Sequence, residues 1–368
     1  MGKKIKVLHF ELEAVTGGIE SFLYNVYSVI DRNKIQFDFV TTVEKPALAK
    51  PLKELGGKIF TISSLKNPYK YIKDINSILK NGNYDIVHLH KNSAANILPV
   101  YVIKKYKNIK IIVHSHNTRP SCGKITYLLH YLNRGILWKN SDIHLACSEI
   151  AGNWLYGESK VFKVIKNGIL VEKYKFKKEN QKECRCRLGI PDNATVIGNV
   201  GRFSIQKNQK RLLEIFKCIY EIDKNVYLIM IGEGEEKANI KTKIKTNKFK
   251  DNIRCLGNQT DINKFMAAMD IFIMPSLYEG LPIVAVEAQA SGLIVWLADT
   301  ISSETEISRG VRWFCLENDN QNIAKKVLIQ GKNNCEERVK QNQEVINNGF
   351  DVKSTSDYLG NLYRRCVK

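Results

Sequence analysis

Short runs of apolar, often β-branched residues alternate with longer helical patterns from the start of the chain. This alternation is typical of parallel sheets whose strands are joined by crossover helices. A polar, basic stretch at residues 171–181 interrupts it, and a second series then begins. We therefore predict two doubly wound α/β domains joined by a linker. The predicted strands are residues 5–10, 37–42, 58–62, 85–90, 110–116, 143–148 and 161–166, then 196–201, 227–231, 253–257, 271–275 and 294–297, with a last helix at 352–366.

Length and composition support two folded domains. A chain of 368 residues exceeds what one hydrophobic core usually organises, and 44% hydrophobic with 26% charged residues is ordinary for globular proteins. Glu11 and Glu13 interrupt the apolar start too early for a signal peptide. The most apolar stretch, residues 271–298, contains two glutamates and two prolines, which excludes a transmembrane helix there. We expect a cytoplasmic protein.

The cysteines and the net charge limit the kinds of structural site and of partner that the protein can have. Nine scattered cysteines argue against a disulfide framework, and the close pair Cys184 and Cys186 lacks the second pair that a zinc site requires. The net charge of +20 favours anionic partners, such as phosphorylated small molecules or the face of an anionic membrane. Because the lysines are spread along the chain, we do not expect a nucleic-acid partner.

Two cations follow the first predicted strand of the second domain. Arg202 comes directly after this strand, and Lys207 stands at the predicted start of the next helix. Both therefore lie at the carboxyl edge of the sheet, where a bound anion is also stabilised by the positive end of the helix dipole. A diphosphate suits this arrangement. A solvated basic loop would contain the same residues, so the turn alone leaves both interpretations open.

A segment with two glutamates, LYEGLPIVAVEAQASGL, is more specific. Pro282 suits the first turn of a helix and Gly292 its end, and the helix between them is apolar on nearly every face. Glu287 is then a carboxylate in a mostly buried helix and requires a specific partner, such as the vicinal diol of a ribose. Glu279 precedes the helix, beside backbone amides that can point at a ligand. Both glutamates could instead be structural and paired with Lys or Arg.

The first domain contributes a glycine pair and a group of histidines. Gly17 and Gly18 follow the first strand, where they let the backbone approach a ligand closely or simply form a turn. Five of the seven histidines fall near the carboxyl ends of predicted strands, and those spaced two apart share a face. Such imidazoles can bind zinc, so a metal-dependent hydrolase is a rival hypothesis, although ordinary core histidines would show the same pattern. The five are His9, His88, His90, His114 and His116.

Together these segments resemble glycosyltransferase family 4, whose members have the GT-B fold and transfer sugars with retention of configuration. The resemblance implies two doubly wound Rossmann-like domains facing across a cleft. Residues 1–170 with 351–368 would form the acceptor side and residues 171–350 the nucleotide-sugar side, because the C-terminal helix is expected to return to the first domain. The matching segments are the Gly17-Gly18 loop, HSHNT, ACSEIAGNW, VIKNGI, GNVGRFSIQKNQ, IGEGEE, CLGNQTDINKFMAAMDIFIMPS and EGLPIVAVEAQASG.

The resemblance assigns a role to each candidate residue. The two cations bind the donor diphosphate, Glu287 binds the ribose, and Glu279 with the backbone after it holds the transferred sugar. The glycine pair meets the donor phosphate, and His116 lies beside the reacting sugar. The expected catalytic residues are His116, Glu279, Arg202 and Lys207, and the expected donor-binding residues are Gly17, Gly18, Arg202, Lys207, Glu279, Gly280, Leu281, Pro282, Ile283 and Glu287.

The implied activity is a retaining, metal-independent hexosyltransferase without a cofactor. It would move a hexose or N-acetylhexosamine from a nucleotide diphosphate sugar, with UDP as the expected nucleotide, to a glycan or lipid-linked saccharide. HSHNT and LADTISSETEIS resemble bacterial capsule and exopolysaccharide enzymes, which adds peripheral attachment to the inner face of the cell membrane. A sugar-nucleotide epimerase of the same fold and a non-enzymatic basic surface-binding protein are further rival hypotheses. IGEGEE lacks the third glycine of a dinucleotide fingerprint, so hydride transfer is not expected.

Overall fold

The computed structural model describes residues 3–14, 17–117 and 123–367. The chain divides into two compact units, Met1–Ile169 with Gly349–Lys368, and Leu170–Asn348. The boundaries predicted from the sequence stand after residues 170 and 350.

The first unit consists of helices packed on a parallel sheet. Its strands are β1 (Ile5–Leu12), β2 (Ile35–Thr41), β3 (Ile59–Thr61), β4 (Ile86–Lys91), β5 (Lys110–Ser115), β6 (Ile143–Ala146) and β7 (Lys163–Val164). Its first helices are α1 (Gly18–Val29), α2 (Ala49–Glu54), α3 (Pro68–Gly82), α4 (Leu98–Ile103), α5 (Lys124–Lys139) and α6 (Glu149–Tyr156). The strand order is β3-β2-β1-β4-β5-β6-β7. From β1 the chain adds strands β2 and β3 on one side and then β4 to β7 on the other, so the topological switch point lies between β1 and β4. Sheets of this kind bind ligands at the switch point.

The second unit repeats this design. Its helices are α7 (Val171–Tyr174), α8 (Lys178–Leu188), α9 (Gln209–Ile222), α10 (Lys237–Lys245), α11 (Ile262–Ala268), α12 (Ile283–Ala290), α13 (Asn320–Gln330) and α14 (Cys335–Asn347). Its strands are β8 (Thr195–Val200), β9 (Val226–Ile231), β10 (Ile253–Cys255), β11 (Ile271–Met274), β12 (Ile294–Ala298) and β13 (Val311–Phe314). They pair in parallel in the order β10-β9-β8-β11-β12-β13, with the switch point between β8 and β11.

The apolar runs form strands because a parallel sheet covered by helices buries both faces of its strands. Every residue of β11 and of β12 is buried. The same is true of β4, although this strand contains His88, His90 and Lys91. The central strands of the first sheet therefore carry buried polar side chains.

The last helix, α15 (Val352–Val367), belongs to the first unit. Its Tyr363 is fully buried, and the Tyr363 hydroxyl lies 2.8 Å from Nδ1 of His88. The helix packs on α1. Helix α15 thus covers part of the histidine group in the first sheet.

The linker predicted at residues 171–181 lies beside the boundary between the two units, but much of it is helical. Residues 171–174 form α7, and α8 begins at Lys178. α8 continues beyond this stretch and packs through a charged residue, since Arg185 is buried and its Nη2 lies 2.8 Å from the Asp270 carboxylate. The sequence also missed β13, whose apolar run is broken by the partly buried Arg312. β7 is shorter than predicted, with two residues in place of 161–166.

Within the described part of the chain, we find no helix with the length and apolar character needed to cross a bilayer. None of the eight described cysteines is joined to another by a disulfide.

Candidate functional site

The turn between β8 and α9 carries both predicted cations. α9 begins only at Gln209, because Asn208 adopts a left-handed conformation with φ of 52°. Lys207 therefore lies in the turn and not in the helix, which corrects the sequence prediction. Arg202 is exposed, and its Nη2 lies 3.1 Å from the carboxylate of Glu235. An exposed ion pair of this kind is weak, so an anionic ligand can take the place of Glu235 at little cost.

The IGEGEE segment supports this turn through backbone packing. The Phe203 amide donates to the Glu233 carbonyl at 2.9 Å, and the Glu236 amide donates to the Phe203 carbonyl at 3.0 Å. Gly232 has φ of 141°, and a Cβ at this position would overlap the carbonyl oxygen of Gly201. The glycines of this segment thus allow two loops to touch, and this contact holds the Arg202 turn in place.

Lys207 and Glu279 form the polar centre of the second unit. Their Nζ and Oε1 atoms are 2.6 Å apart, and the side chains are 19% and 12% exposed. Gln206 Nε2 also donates to Oε1 of Glu279, at 3.2 Å, and to the Tyr278 carbonyl, at 3.0 Å. The loops that follow β8 and β11 are therefore tied together. Because β8 and β11 flank the switch point, these side chains lie where a sheet of this kind binds its ligand.

The segment after Glu279 leads into α12 as the sequence predicted, with one shift. Pro282 occupies the N-cap position and Ile283 is the first helical residue, so Pro282 lies just before the helix. Gly280 and Leu281 are half-buried in the loop. The first N–H groups of a helix have no partner within the helix. The start of α12 can therefore donate hydrogen bonds to an anionic or hydroxyl-rich ligand beside Glu279.

Glu287 has a protein partner that the sequence did not reveal. The Tyr174 hydroxyl donates to Oε1 of Glu287 at 2.6 Å. Burial raises the pKa of Glu287 to about 7, and the Tyr174 hydrogen bond acts in the opposite direction. Tyr174 lies in α7, inside the stretch that was predicted to be a linker. An aromatic residue within a basic run was the signal available in the sequence.

The histidines of the first unit form one group across three neighbouring strands. His9 is in register with His88, and His90 is in register with His114. Nδ1 of His9 lies 3.0 Å from Nε2 of His90, and Nδ1 of His90 lies 2.8 Å from Nε2 of His116. The prediction that these side chains share a face of the sheet is confirmed.

Burial keeps these imidazoles neutral. It lowers the pKa of His9 to about 3 and that of His116 to about 3. It also lowers the pKa of His88, His90 and His114 well below the usual value, and neighbouring histidines add to the effect. Among the described atoms, Nδ1 of His116 has no hydrogen-bond partner. His116 directly follows β5, so it stands at the carboxyl edge of the sheet. Thr118 of the HSHNT motif lies outside the described residues.

Two subsets of the histidine group bring three imidazole nitrogens within 4.8 Å of one another. They are His9, His88 and His90, and His90, His114 and His116. Neutral imidazoles at this spacing can bind a metal ion. Two of the contacts within the group, His9 with His90 and His90 with His116, are at hydrogen-bond distance without an ion, whereas both nitrogens of the buried His114 have no hydrogen-bond partner among the described atoms.

The glycine pair lies at the start of α1. The Gly17 amide donates to Oε2 of Glu20 at 2.8 Å, which caps the helix, and Glu20 Oε1 accepts from the Glu13 amide at 3.0 Å. Gly18 is the first helical residue, and none of the described atoms lies within 4 Å of where its Cβ would be. Gly18 thus leaves open space for a ligand, whereas the Gly17 amide is already occupied.

A buried ion pair in the first unit was not predicted. Nζ of Lys91 lies 2.6 Å from Oε1 of Glu11, and the Lys91 side chain is 4% exposed. Glu11 stands at an irregularity of β1 with φ of 83°, which aims its side chain toward β4. Burial acts to lower the pKa of Lys91, but the Glu11 carboxylate and Tyr71 together outweigh it, so the pKa is raised. A lysine within a strand looks like an edge residue in the sequence, so no pattern marked it.

The geometry describes two Rossmann-like units, the second with cations, a carboxylate and a helix start at its switch point. This arrangement is typical of proteins that bind nucleotides and their conjugates. Residues 16–173 match the family described as Glycosyltransferase Family 4, and residues 180–350 match Glycosyl transferases group 1.

Individual proteins agree with the family match. EpsF of Bacillus subtilis, a glycosyltransferase by name, is 31% identical over 83% of this chain and 82% of its own length. The UDP-Gal:alpha-D-GlcNAc-diphosphoundecaprenol alpha-1,3-galactosyltransferase of Escherichia coli is 26% identical over 98% of this chain and 97% of its own length. The structure of Anabaena Alr3699/HepE in complex with UDP superposes with a TM-score of 0.80 at 17% identity, covering 98% of this chain and 100% of the other. The chain belongs to the GT-B glycosyltransferases that combine a family 4 domain with a group 1 domain.

Proposed function

We propose that this glycosyltransferase transfers a hexose or N-acetylhexosamine from a UDP-sugar to a lipid-linked saccharide, with retention of configuration and without a metal ion. The acceptor would be an intermediate of capsule or exopolysaccharide synthesis at the inner face of the membrane. The Lys207–Glu279 pair at the switch point of the second sheet, with Glu287 on the following helix, carries the proposal.

Each of these residues suits one part of a nucleotide sugar. Lys207 and Arg202 offer charge-assisted hydrogen bonds to a diphosphate. Glu287 can accept two hydrogen bonds from a ribose diol once Tyr174 turns away or shares it. Glu279 and the start of α12 can hold hydroxyls of the transferred sugar, and Gly18 leaves room for the donor phosphate.

The proposed reaction needs no enzyme nucleophile. The bond between the sugar carbon and the diphosphate oxygen breaks while the acceptor oxygen bonds to the same face of that carbon. The acceptor proton passes to an oxygen of the leaving diphosphate. Lys207 and Arg202 stabilise the negative charge that develops on this group, which is electrostatic catalysis without a metal. His116, neutral and with Nδ1 unpartnered among the described atoms, would hydrogen-bond the transferred sugar.

The names of three similar proteins support the proposed substrate class. The Escherichia coli relative is named for a UDP-galactose donor and a diphosphoundecaprenol acceptor. A Staphylococcus aureus relative, 25% identical over 83% of this chain, is named for capsular polysaccharide biosynthesis. A HepE structure contains UDP-glucose.

Donor consumption with and without acceptor tests the proposal. We expect release of UDP from a UDP-sugar only when a lipid-linked saccharide is present, and a product whose anomeric configuration matches the donor. Conversion of the donor without acceptor would identify an epimerase instead. Full activity in EDTA is expected. Loss in EDTA with recovery on adding zinc would assign the chemistry to the histidine group and overturn metal independence.

A further inference from the structure

His9, His90 and His116 form a chain of hydrogen-bonded imidazoles across three neighbouring strands. His9 lies in β1, His90 lies in β4, and His116 directly follows β5. Nδ1 of His9 is 3.0 Å from Nε2 of His90, and Nδ1 of His90 is 2.8 Å from Nε2 of His116. His90 therefore uses both of its ring nitrogens, one for each neighbour, and joins the other two rings end to end.

This chain permits only two arrangements of its protons. Burial keeps the three rings neutral, and a neutral imidazole has one N–H, which donates, and one bare nitrogen, which accepts. Both contacts form only if all three rings carry the proton on Nδ1 or all three carry it on Nε2. Any mixed arrangement sets two bare nitrogens, or two N–H groups, against each other. The tautomer of His116 is therefore tied to the tautomers of His90 and His9.

The surroundings of His9 select between the two arrangements. This side chain is buried, and its ring centroid lies 4.2 Å from that of Phe37 and 5.7 Å from that of Phe39. Within the described part of the chain, Nε2 of His9 has no hydrogen-bond partner. A buried N–H without a partner is rarer in folded proteins than a buried acceptor without one. The proton of His9 therefore belongs on Nδ1, and the chain places the protons of His90 and His116 on Nδ1 as well.

We propose that His9 and His90 are positioning residues that hold His116 with its proton on Nδ1. No described atom is hydrogen-bonded to Nδ1 of His116, so in this tautomer that atom can donate to a ligand but cannot accept from it. The ligand atom opposite it must then be an acceptor, such as a hydroxyl oxygen of the transferred sugar. A catalytic histidine in the wrong tautomer loses most of its effect on the rate. The inference rests on the proposed function, which puts His116 beside that sugar.

NMR of the full chain, in EDTA and without substrate, measures the tautomers directly. With isotope-labelled histidine, long-range proton–nitrogen correlations distinguish a ring protonated on Nδ1 from a ring protonated on Nε2. Variants that each lack one histidine assign the signals. We expect protonation on Nδ1 in His9, His90 and His116 of the parent. Protonation on Nε2 in any of the three would overturn the inference.

His90→Phe breaks the chain at its middle ring. Nε2 of His116 then has no nitrogen opposite it, so this ring should show its Nε2–H form, and kcat should fall about tenfold or more while UDP-sugar affinity stays at the parent value. His90→Asn should restore much of both properties, because its amide can replace Nδ1 of His90 as the donor to His116. His90→Leu serves in place of His90→Phe if that variant does not fold.

The matched control is His88→Phe, the same change on the same strand. It removes the contact with the Tyr363 hydroxyl and leaves the three-ring chain intact, so the tautomer of His116 and kcat should match the parent. An equal loss of kcat in this control would overturn the inference, since any change in the buried group would then be harmful. So would a folded His90→Phe variant that keeps either the Nδ1–H form of His116 or the parent kcat. Absence of sugar transfer by the parent would count against the proposed function alone, because the tautomers of the free enzyme would still decide the inference.

Discussion

The charge state of Glu287 depends on its burial and on its hydrogen bond with Tyr174. Burial raises its pKa to about 7, from 4.5 for the unperturbed group, and the Tyr174 hydrogen bond offsets part of this. The folded protein therefore binds a proton that the unfolded chain releases between about pH 4.5 and pH 7. The ionised form of Glu287 is the one that would accept hydrogen bonds from a ribose diol, so the role proposed for this carboxylate comes at a cost in stability to the ligand-free enzyme.

We predict a pH-dependent stability difference for Glu287→Gln. The stability that protonated Glu287 provides is present below pH 4.5 and lost as pH rises to about 7. The Gln variant does not ionise, so it should equal the wild type at low pH and exceed it by about 3 kcal/mol at pH 8. Urea unfolding at several pH values measures this. Glu317→Gln, at an exposed position, serves as the control, and parallel curves for wild type and Glu287→Gln would contradict the prediction.

His116 should matter to turnover and not to donor affinity. A group that contacts the reacting sugar contributes more in the transition state, so His116→Ala should lower kcat by about tenfold or more with little change in UDP-sugar affinity. Because burial lowers the pKa of His116 to about 3, this residue should add no limb to the pH–rate profile near neutrality.

A structural histidine provides the comparison for His116. His144 contacts Ser141 and the Trp138 carbonyl through Nε2. His144→Ala should therefore lower the melting temperature and affect all ligands alike. Parent turnover in a normally folded His116→Ala would remove His116 from the reaction.

At the scale of elements, the loop contact between Gly232 and Gly201 should control the donor site. Gly232→Ala introduces a Cβ that overlaps the Gly201 carbonyl at a φ of 141°, so the Arg202 turn must move. We expect a loss of about 2 kcal/mol or more of stability and weaker UDP binding. Thermal unfolding with and without UDP measures both.

Gly135→Ala is the matched control for that substitution. In the described part of the chain, nothing lies within 4 Å of the Cβ position of Gly135 in α5, so the change should stabilise by about 0.5–1 kcal/mol. Equal stability and equal UDP affinity of the Gly232→Ala and Gly135→Ala variants would show that the Gly232 contact is unimportant.

The elements that the sequence revealed and those it concealed differ in how they pack. β8, β11 and β12 were predicted within one or two residues, because strands buried on both faces are continuous apolar runs. α7 and the first residues of α8 were taken for a linker, and α8 is anchored by a buried charged pair and not by an apolar stripe. β13 lies at the sheet edge, where half of its residues stay partly exposed.

At the scale of the whole molecule, the sequence located the candidate residues of each unit but not the partners they contact within it. Periodicity and turn residues placed Lys207, Glu279 and Glu287 at one sheet edge. The Tyr174–Glu287 bond joins residues 113 positions apart, and the Lys91–Glu11 bond joins residues 80 apart. Contacts of this range depend on the assembled fold, and no local pattern encodes them.

Calorimetric titration of UDP into the chain, in the presence of EDTA, tests the central claim most directly. We predict a saturable site in the parent, and a loss of about a hundredfold or more in affinity for Arg202→Ala/Lys207→Ala, since two charge-assisted contacts disappear. Lys210→Ala, an exposed lysine at the start of α9, should bind as the parent does. UDP affinity unchanged in the double variant, or no saturable UDP binding by the folded parent, would contradict the assignment of the donor site.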